Sequence, residues 1–302
     1  MDALSSIFDI IKLKSAVYFK SDFSSPWGMD ISKGPYAQFH MIVKGKCILN
    51  LKNKKAIELY AGDIVIFPFG EAHWLADNQN SKKVGGLKVV ESIRNNNPIF
   101  KGNDHATTMI CGHFEFDRNI EHSFIRSLPQ YIHISDMDRK EFSWLESISN
   151  LIMRESGSDR LGNTIAVNRL AEVLFIHSIR AYILQNNDNI GLFTALKNPK
   201  LSNVLKLIHS KPEYNWNLDN LAHEAGMSRT LFANKFRETV GETPLLYIRN
   251  WRIIKAKQFL KEGSDSISEV AEKVGYSSEA AFNRVFKKKV HKTPAVYRRT
   301  AL

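Results

Sequence analysis

The 302-residue chain is poor in cysteine. It has only Cys47 and Cys111, too few for a disulfide framework, so stability must come from a packed core in a compartment that keeps thiols reduced. No apolar run reaches the about 18 residues that a bilayer span needs, and the longest candidate, 173–184, is broken by His177 and Arg180. Met1 and Asp2 do not open a basic lead into a long apolar stretch, so no secretory leader is expected. These absences exclude a membrane protein and imply a cytoplasmic one. With 43% hydrophobic and 24% charged residues the chain is also neither collagen-like nor disordered, and its length allows two or three domains.

The formal net charge is +11, and it is unevenly spread. Residues 199–302 hold 19 Lys and Arg against 10 Asp and Glu, whereas residues 1–198 hold 23 against 21. A basic domain at one end is the electrostatic footprint of phosphate-backbone binding.

From Ser15 to Ile134 short β-prone runs (FHMIV, CILNL, DIVIF, TTMICGHFEF) alternate with Gly, Pro, Asn and Asp, which predicts a small antiparallel barrel or sandwich. Asn95 to Asn97, Pro98, Gly102 and Asn103 mark a surface excursion between strands. Beyond Asp136 the period becomes helical. Trp144, Ile148, Leu151 and Ile152 form one stripe, and Ile165, Leu170, Val173, Leu174, His177 and Tyr182 form another, with Gly157 and Gly162 as the break between two helices. A polar linker, 186–189, and the pair Asn198 and Pro199 precede the basic domain. The fold class is therefore α+β and multidomain: a barrel at 1–135, a helical connector at 136–197 and an all-α domain at 198–302.

That last domain is internally repeated. Residues 218–249 match 267–298, offset by 49 at Ala222/Ala271, Gly226/Gly275 and Ser228/Ser277, and by 50 at Phe232/Phe282, Phe236/Phe286, Pro244/Pro294 and Tyr247/Tyr297. Each copy reads as a helix-turn-helix. A short helix stops at a glycine able to take positive φ, a serine caps the next helix, and a Phe pair four residues apart turns inward. Arg229, Thr230, Ala233, Asn234 and Arg237 are left outward in the first copy, and Glu279, Ala280, Asn283, Arg284 and Lys287 in the second. Pro244 opens a connecting helix of about 17 residues, roughly 25 Å long, which suits two reader helices about one duplex turn apart.

The run GYSSEAAFNRVFKKKVHKTPAVYR, within 199–299, resembles the signature of the AraC/XylS family of transcription regulators. The resemblance implies base-reading positions at Thr230, Ala233 and Asn234, and at Glu279, Ala280, Asn283 and Arg284. Among these, Arg284 is suited to guanine, and Asn234 or Asn283 to adenine. The remainder is similar to the subgroup with an N-terminal cupin-type domain. Gly62, Pro68, Gly70 and His73 fit the second cupin motif, with Asp77 where Asn is usual. The first motif is partial: His40 is present, Ile42 stands where a second histidine would be, and no glutamate follows.

The resemblance implies a sequence-specific regulator of promoter DNA that reads two adjacent major grooves. It implies modulation by a small-molecule or redox effector at the cupin-like domain, contact with RNA polymerase and a homodimer formed through the connector helices. No cofactor, catalytic residue or resident metal is expected. His40 and His73 are the effector-pocket or metal candidates, with His113, Cys47 or Cys111 as a third ligand. Cys47 and Cys111 are the redox candidates, and Phe39, Phe67, Phe69 and Trp74 the aromatic pocket candidates. The alternative is a cupin metalloenzyme, an oxygenase or isomerase, with a DNA-binding tail; Ile42 counts against its metal set.

Overall fold

The computed structural model describes residues 2–102, 104–116, 122–185 and 191–301. In chain order the elements are α1 (Ala3–Ile11), β1 (Lys14–Ser24), β2 (Gly28–Ile31), β3 (Ala37–Leu51), β4 (Ile57–Tyr60), β5 (Ile64–Phe67), β6 (His73–Ala76), β7 (Val84–Gly85), α2 (Gly86–Arg94) and β8 (His105–Glu115). They continue as α3 (Ser123–Ser127), β9 (Ile132–Ile134), α4 (Asp136–Glu141), α5 (Ser143–Glu155), α6 (Asn163–Gln185), α7 (Leu192–Lys197) and α8 (Pro199–Ser210). The last are α9 (Leu218–Glu224), α10 (Arg229–Val240), α11 (Pro244–Glu262), α12 (Ile267–Lys273), α13 (Glu279–Val290) and α14 (Pro294–Ala301). Among the described residues no helix is long and apolar enough to cross a membrane.

Two compact units result, and neither is continuous in sequence. One comprises 13–116 and 128–186; the other comprises 1–12, 117–127 and 187–302. Two short segments that fall inside the 1–135 boundary by sequence thus pack with the C-terminal helices.

In the first unit the strands form a nine-stranded sheet in the order β1-β8-β3-β6-β2-β7, with β4 and β5 also on β3 and β9 on β5. The sheet curls because β3 serves both of its halves. Over 37–45 β3 pairs with β8, and over 46–51 with β4 and β6. Between these stretches Gly45 takes φ +76, and a Cβ there would strike the Ala106 carbonyl. Only glycine permits that close a backbone approach.

Side chains alternate across the curl, with a register shift between Ile42 and Lys44 that changes the inward parity of β3. Ile42, Val65, Phe67, Met109 and Cys111 join Phe23, Trp27, Leu49 and Leu75 in the interior core. Their neighbours Phe39, Met41, Ile66, Ile110 and Phe114 are buried too, and Phe114 meets Phe175 of α6 at 4.8 Å. Gly157 and Gly162, both at positive φ, separate α5 from α6 at the expected break, and Trp144 stacks on His177 across the hairpin at 4.6 Å. α2, a helix the sequence pattern does not suggest, ends at Arg94 just before the excursion between strands; Asn103 lies outside the described residues.

The second unit is helical throughout. Asp2 caps α1 by accepting from the Ser5 amide, and Ile7, Ile10 and Ile11 give it a buried stripe. Asn217 and Ser266 form capping boxes on α9 and α12, Ser228 caps α10, and prolines open α8, α11 and α14. The connecting helix α11 spans 19 residues, two beyond the sequence reading. In the second copy of the repeat Ser278, not Ser277, is the cap. The extra residue therefore lies in the turn after Gly275, and the two reader helices correspond throughout with the offset of 50.

A buried polar chain ties the remote segments of this unit together. The Phe124 amide donates to His122 Nδ1 (3.1 Å), which leaves the proton on Nε2, facing the Tyr247 hydroxyl at 3.1 Å. Tyr247 then donates to His209 Nε2 (2.7 Å), and His209 Nδ1–H donates to the Ala3 carbonyl (3.3 Å). Trp251 stacks on His209 with ring centroids 3.7 Å apart. Every group in the chain is satisfied with both imidazoles neutral. Burial, then the Arg126 charge, hold the His122 pKa down to about 3; burial, then the neighbouring His122, hold His209 well below the ordinary range. Tyr247→Phe orphans one imidazole donor and one acceptor, so urea unfolding should register a loss of about 1–3 kcal/mol for each group. A loss under half a kcal/mol would show that neither ring depends on the hydroxyl.

Candidate nucleic-acid interface

The two reader helices present the faces that the repeat predicts. Phe232 and Phe236 are fully buried on α10, 5.6 Å apart, and Phe282 and Phe286 repeat the arrangement on α13 at 5.4 Å. Each pair fixes its helix by one side. The opposite side exposes Arg229, Thr230, Asn234 and Arg237 on α10, and Glu279, Ala280, Arg284 and Lys287 on α13; Ala233 and Asn283 are half-buried. Three of these groups have intramolecular partners. Arg229 meets Asp219 of α9 at 3.3 Å, and the Asn283 amide lies 3.4 Å from Glu279, both exposed contacts of little energetic weight. Lys288 extends the basic surface from Lys287 at the last turn of α13, where the helix dipole favours cations. Leu231, 56% exposed on α10, is a reader-helix residue that the sequence argument passes over; it offers apolar contact of the kind a thymine methyl takes.

Glu242 positions the first reader. This buried carboxylate, just after α10, accepts from Arg126 of α3 (2.8 Å) and from the Asn250 amide of α11 (2.7 Å). Gly191 donates to the Thr239 carbonyl at 2.7 Å, so α7 also holds the end of α10.

In the first unit His40 and His73 do come together. Their Nε2 atoms are 2.9 Å apart, His73 Nδ1–H donates to the Glu71 carbonyl (2.7 Å), and Cys111 Sγ lies 3.0 Å from His40 Nδ1. The His73 donor leaves its Nε2 as an acceptor. His40 therefore donates from Nε2 and accepts the Cys111 S–H on Nδ1, a continuous chain of neutral groups. Burial, then His73, lower His40 well below the ordinary range, and burial lowers His73 to about 4.

The third-ligand candidates do not converge on that pair. Cys111 faces the opposite edge of the His40 ring from Nε2, and one ring cannot turn both nitrogens to one ion. His113 is held between Tyr18 and Tyr36 with Nε2 2.9 Å from Glu115. Among the described residues no three His, Cys, Asp or Glu side chains are placed to hold a metal, so the donor set does not fit the centre that the cupin fold implies.

Burial, then Asp63, raise the Cys47 thiol pKa, and burial, then Cys47, raise Cys111; neither is a ready thiolate. The aromatic candidates also divide. Phe67 stacks on His73 inside (3.8 Å), Phe39 stacks on Phe114 on the other face (4.8 Å), and Trp74 lies beneath Lys83 (4.3 Å), so they line no common pocket.

A family model described as Cupin matches residues 2–184, and one described as Helix-turn-helix domain matches 221–300. The chain is 32% identical to the HTH-type transcriptional regulator AlkR of Acinetobacter baylyi over 304 residues, covering 99% of each. This chain belongs to the AraC family of helix-turn-helix transcriptional regulators, with an N-terminal cupin domain. The regulator is also 26% identical to the HTH-type transcriptional regulator MtrA of Neisseria gonorrhoeae over 306 residues, covering 99% of this chain and 98% of that one. Among solved structures it is similar to the DNA-binding domain of AdpA in complex with a target DNA, at 29% identity and a TM-score of 0.33, over 34% of this chain and 92% of that one.

Proposed function

We propose that α10 and α13 enter two adjacent major grooves of one promoter duplex. Arg284 would then make a bidentate contact to guanine, Asn234 and Asn283 would meet adenine, and Arg237 and Lys287 would neutralise phosphates. The observation that carries this reading is the pair of exposed faces, each backed by a buried Phe pair. Arg284→Ala should cost about 1–3 kcal/mol on the preferred duplex and relax preference at one base position. Equal loss on every duplex would reduce Arg284 to a phosphate contact and overturn its assignment as a reader.

The barrel unit supplies the input of this cytoplasmic regulator, from a small-molecule or redox effector. The chain from Cys111 through His40 to His73 supports that reading, because removing the thiol proton leaves a buried imidazole without a donor. The outer face of α5 and α6, with Leu151, Ile165 and Leu184 exposed, supports a homodimer, and promoter-bound dimers would then meet RNA polymerase.

A further inference from the structure

We infer that Arg252 is a positioning residue that sets the spacing and angle between the two readers. It sits midway along α11, outside both helix-turn-helix motifs, and its guanidinium spends all three nitrogens on backbone carbonyls. Nε donates to Pro212 (2.8 Å) and Nη2 to Tyr214 (2.8 Å), both in the loop that leads into the first motif. Nη1 donates to Gly275 (3.0 Å), the turn of the second motif. One side chain thus joins two segments more than sixty residues apart in sequence.

The surroundings are shaped to this group. Gly275 stands at φ +81, and a Cβ there would lie 2.6 Å from Arg252 Nη2 and 2.8 Å from the Pro212 oxygen. The glycine therefore allows the turn of one motif to abut the entry loop of the other, in addition to its role in the turn itself. The entry loop is stiffened from within: Trp216 donates its indole N–H to the Lys211 carbonyl (2.9 Å), and its ring lies 4.5 Å from that of Tyr214. On the far side the Arg252 guanidinium lies 5.8 Å from the Tyr276 ring centroid.

The repeat supplies an internal control. In the first copy the corresponding turn carbonyl, Gly226, accepts from Lys200 of α8 at 3.2 Å. A lysine from the preceding helix is therefore enough to hold the turn glycine of the first motif. What the second copy gains from arginine is the rigid fork, whose other two donors cross to the first motif. Two reading modules act as one site only while their geometry matches the duplex, so freeing the fork leaves each module intact and removes the advantage of linkage.

This inference rests on both readers engaging one duplex, and the test separates the two claims. A duplex enriched from random DNA by the full-length wild-type protein is compared with three derivatives: each half scrambled in turn, and two base pairs inserted between the halves. If the wild type binds the intact duplex no better than the scrambled ones, the two-groove reading fails, whatever Arg252 does. Otherwise Arg252→Lys and Arg252→Gln should bind the scrambled duplexes within about twofold of wild type, lose about tenfold on the intact one, and suffer a smaller penalty for the insertion. Two results overturn the role of Arg252. One is wild-type affinity and spacer penalty in both variants; the other is equal loss on intact and scrambled duplexes, which includes a variant that fails to fold.

Discussion

Acidification from pH 7 to pH 5 will cost about 2 kcal/mol for His73 in the barrel unit and about 2 kcal/mol for His122 in the helical unit. The unfolded chain protonates these imidazoles near pH 6.5, whereas burial holds the folded values to about 4 and about 3. Between those limits the unfolded state binds more protons, so stability is full above pH 6.5 and falls as the pH drops. His40 and His209 are lowered by the same cause and act in the same direction. Urea unfolding at pH 7, 6 and 5 reads the slope directly. His122→Gln should reduce it for the helical unit, and His73→Gln for the barrel, leaving the share of His209 and His40. A midpoint independent of pH would mean that the imidazoles are not held neutral in the folded protein.

Promoter affinity should fall by about 10³- to 10⁵-fold between 50 and 200 mM salt if the readers contact about six to ten phosphates. Among the described residues the exposed cations at the reader ends include Arg229 and Arg237 on α10 and Lys287, Lys288 and Lys289 on α13. Arg252 is excluded from that set because each of its three nitrogens already donates to a carbonyl within the unit. Lys288→Ala should weaken all duplexes alike and lower the salt slope by about one, whereas Arg284→Ala should change sequence preference. The measurement is a binding series at fixed pH over that salt range. A flat series would remove DNA electrostatics from the function of the basic unit.

The repeat was the most legible feature, because a glycine turn, a capping serine and a Phe pair recur at fixed spacing and each has a local physical cause. The exposed faces followed directly. The position of the extra residue did not, since two adjacent serines can each cap, and only the backbone selects Ser278. His40 and His73 were legible as a pair from strand periodicity. Cys111 was only one of three candidates beside them, because choosing it depends on the pairing of β3 with β8 that sets His40 opposite Cys111. Least visible were α1 and α3. Nothing in ALSSIFDII specifies that Ala3 presents its carbonyl to an imidazole two hundred residues away, and Arg252 reads in sequence as one more cation on a basic helix.

The discontinuous helical unit bears on how this regulator is taken apart. A fragment beginning at 198 would lack the Ala3 carbonyl, the His122 ring and the Arg126 partner of Glu242, leaving polar atoms of the reader scaffold stranded. Grafting the readers onto a different sensor therefore calls for co-transfer of 1–12 and 122–127. Chimeras joined at the sequence boundary alone would misreport as weak binders a scaffold that had merely lost its braces.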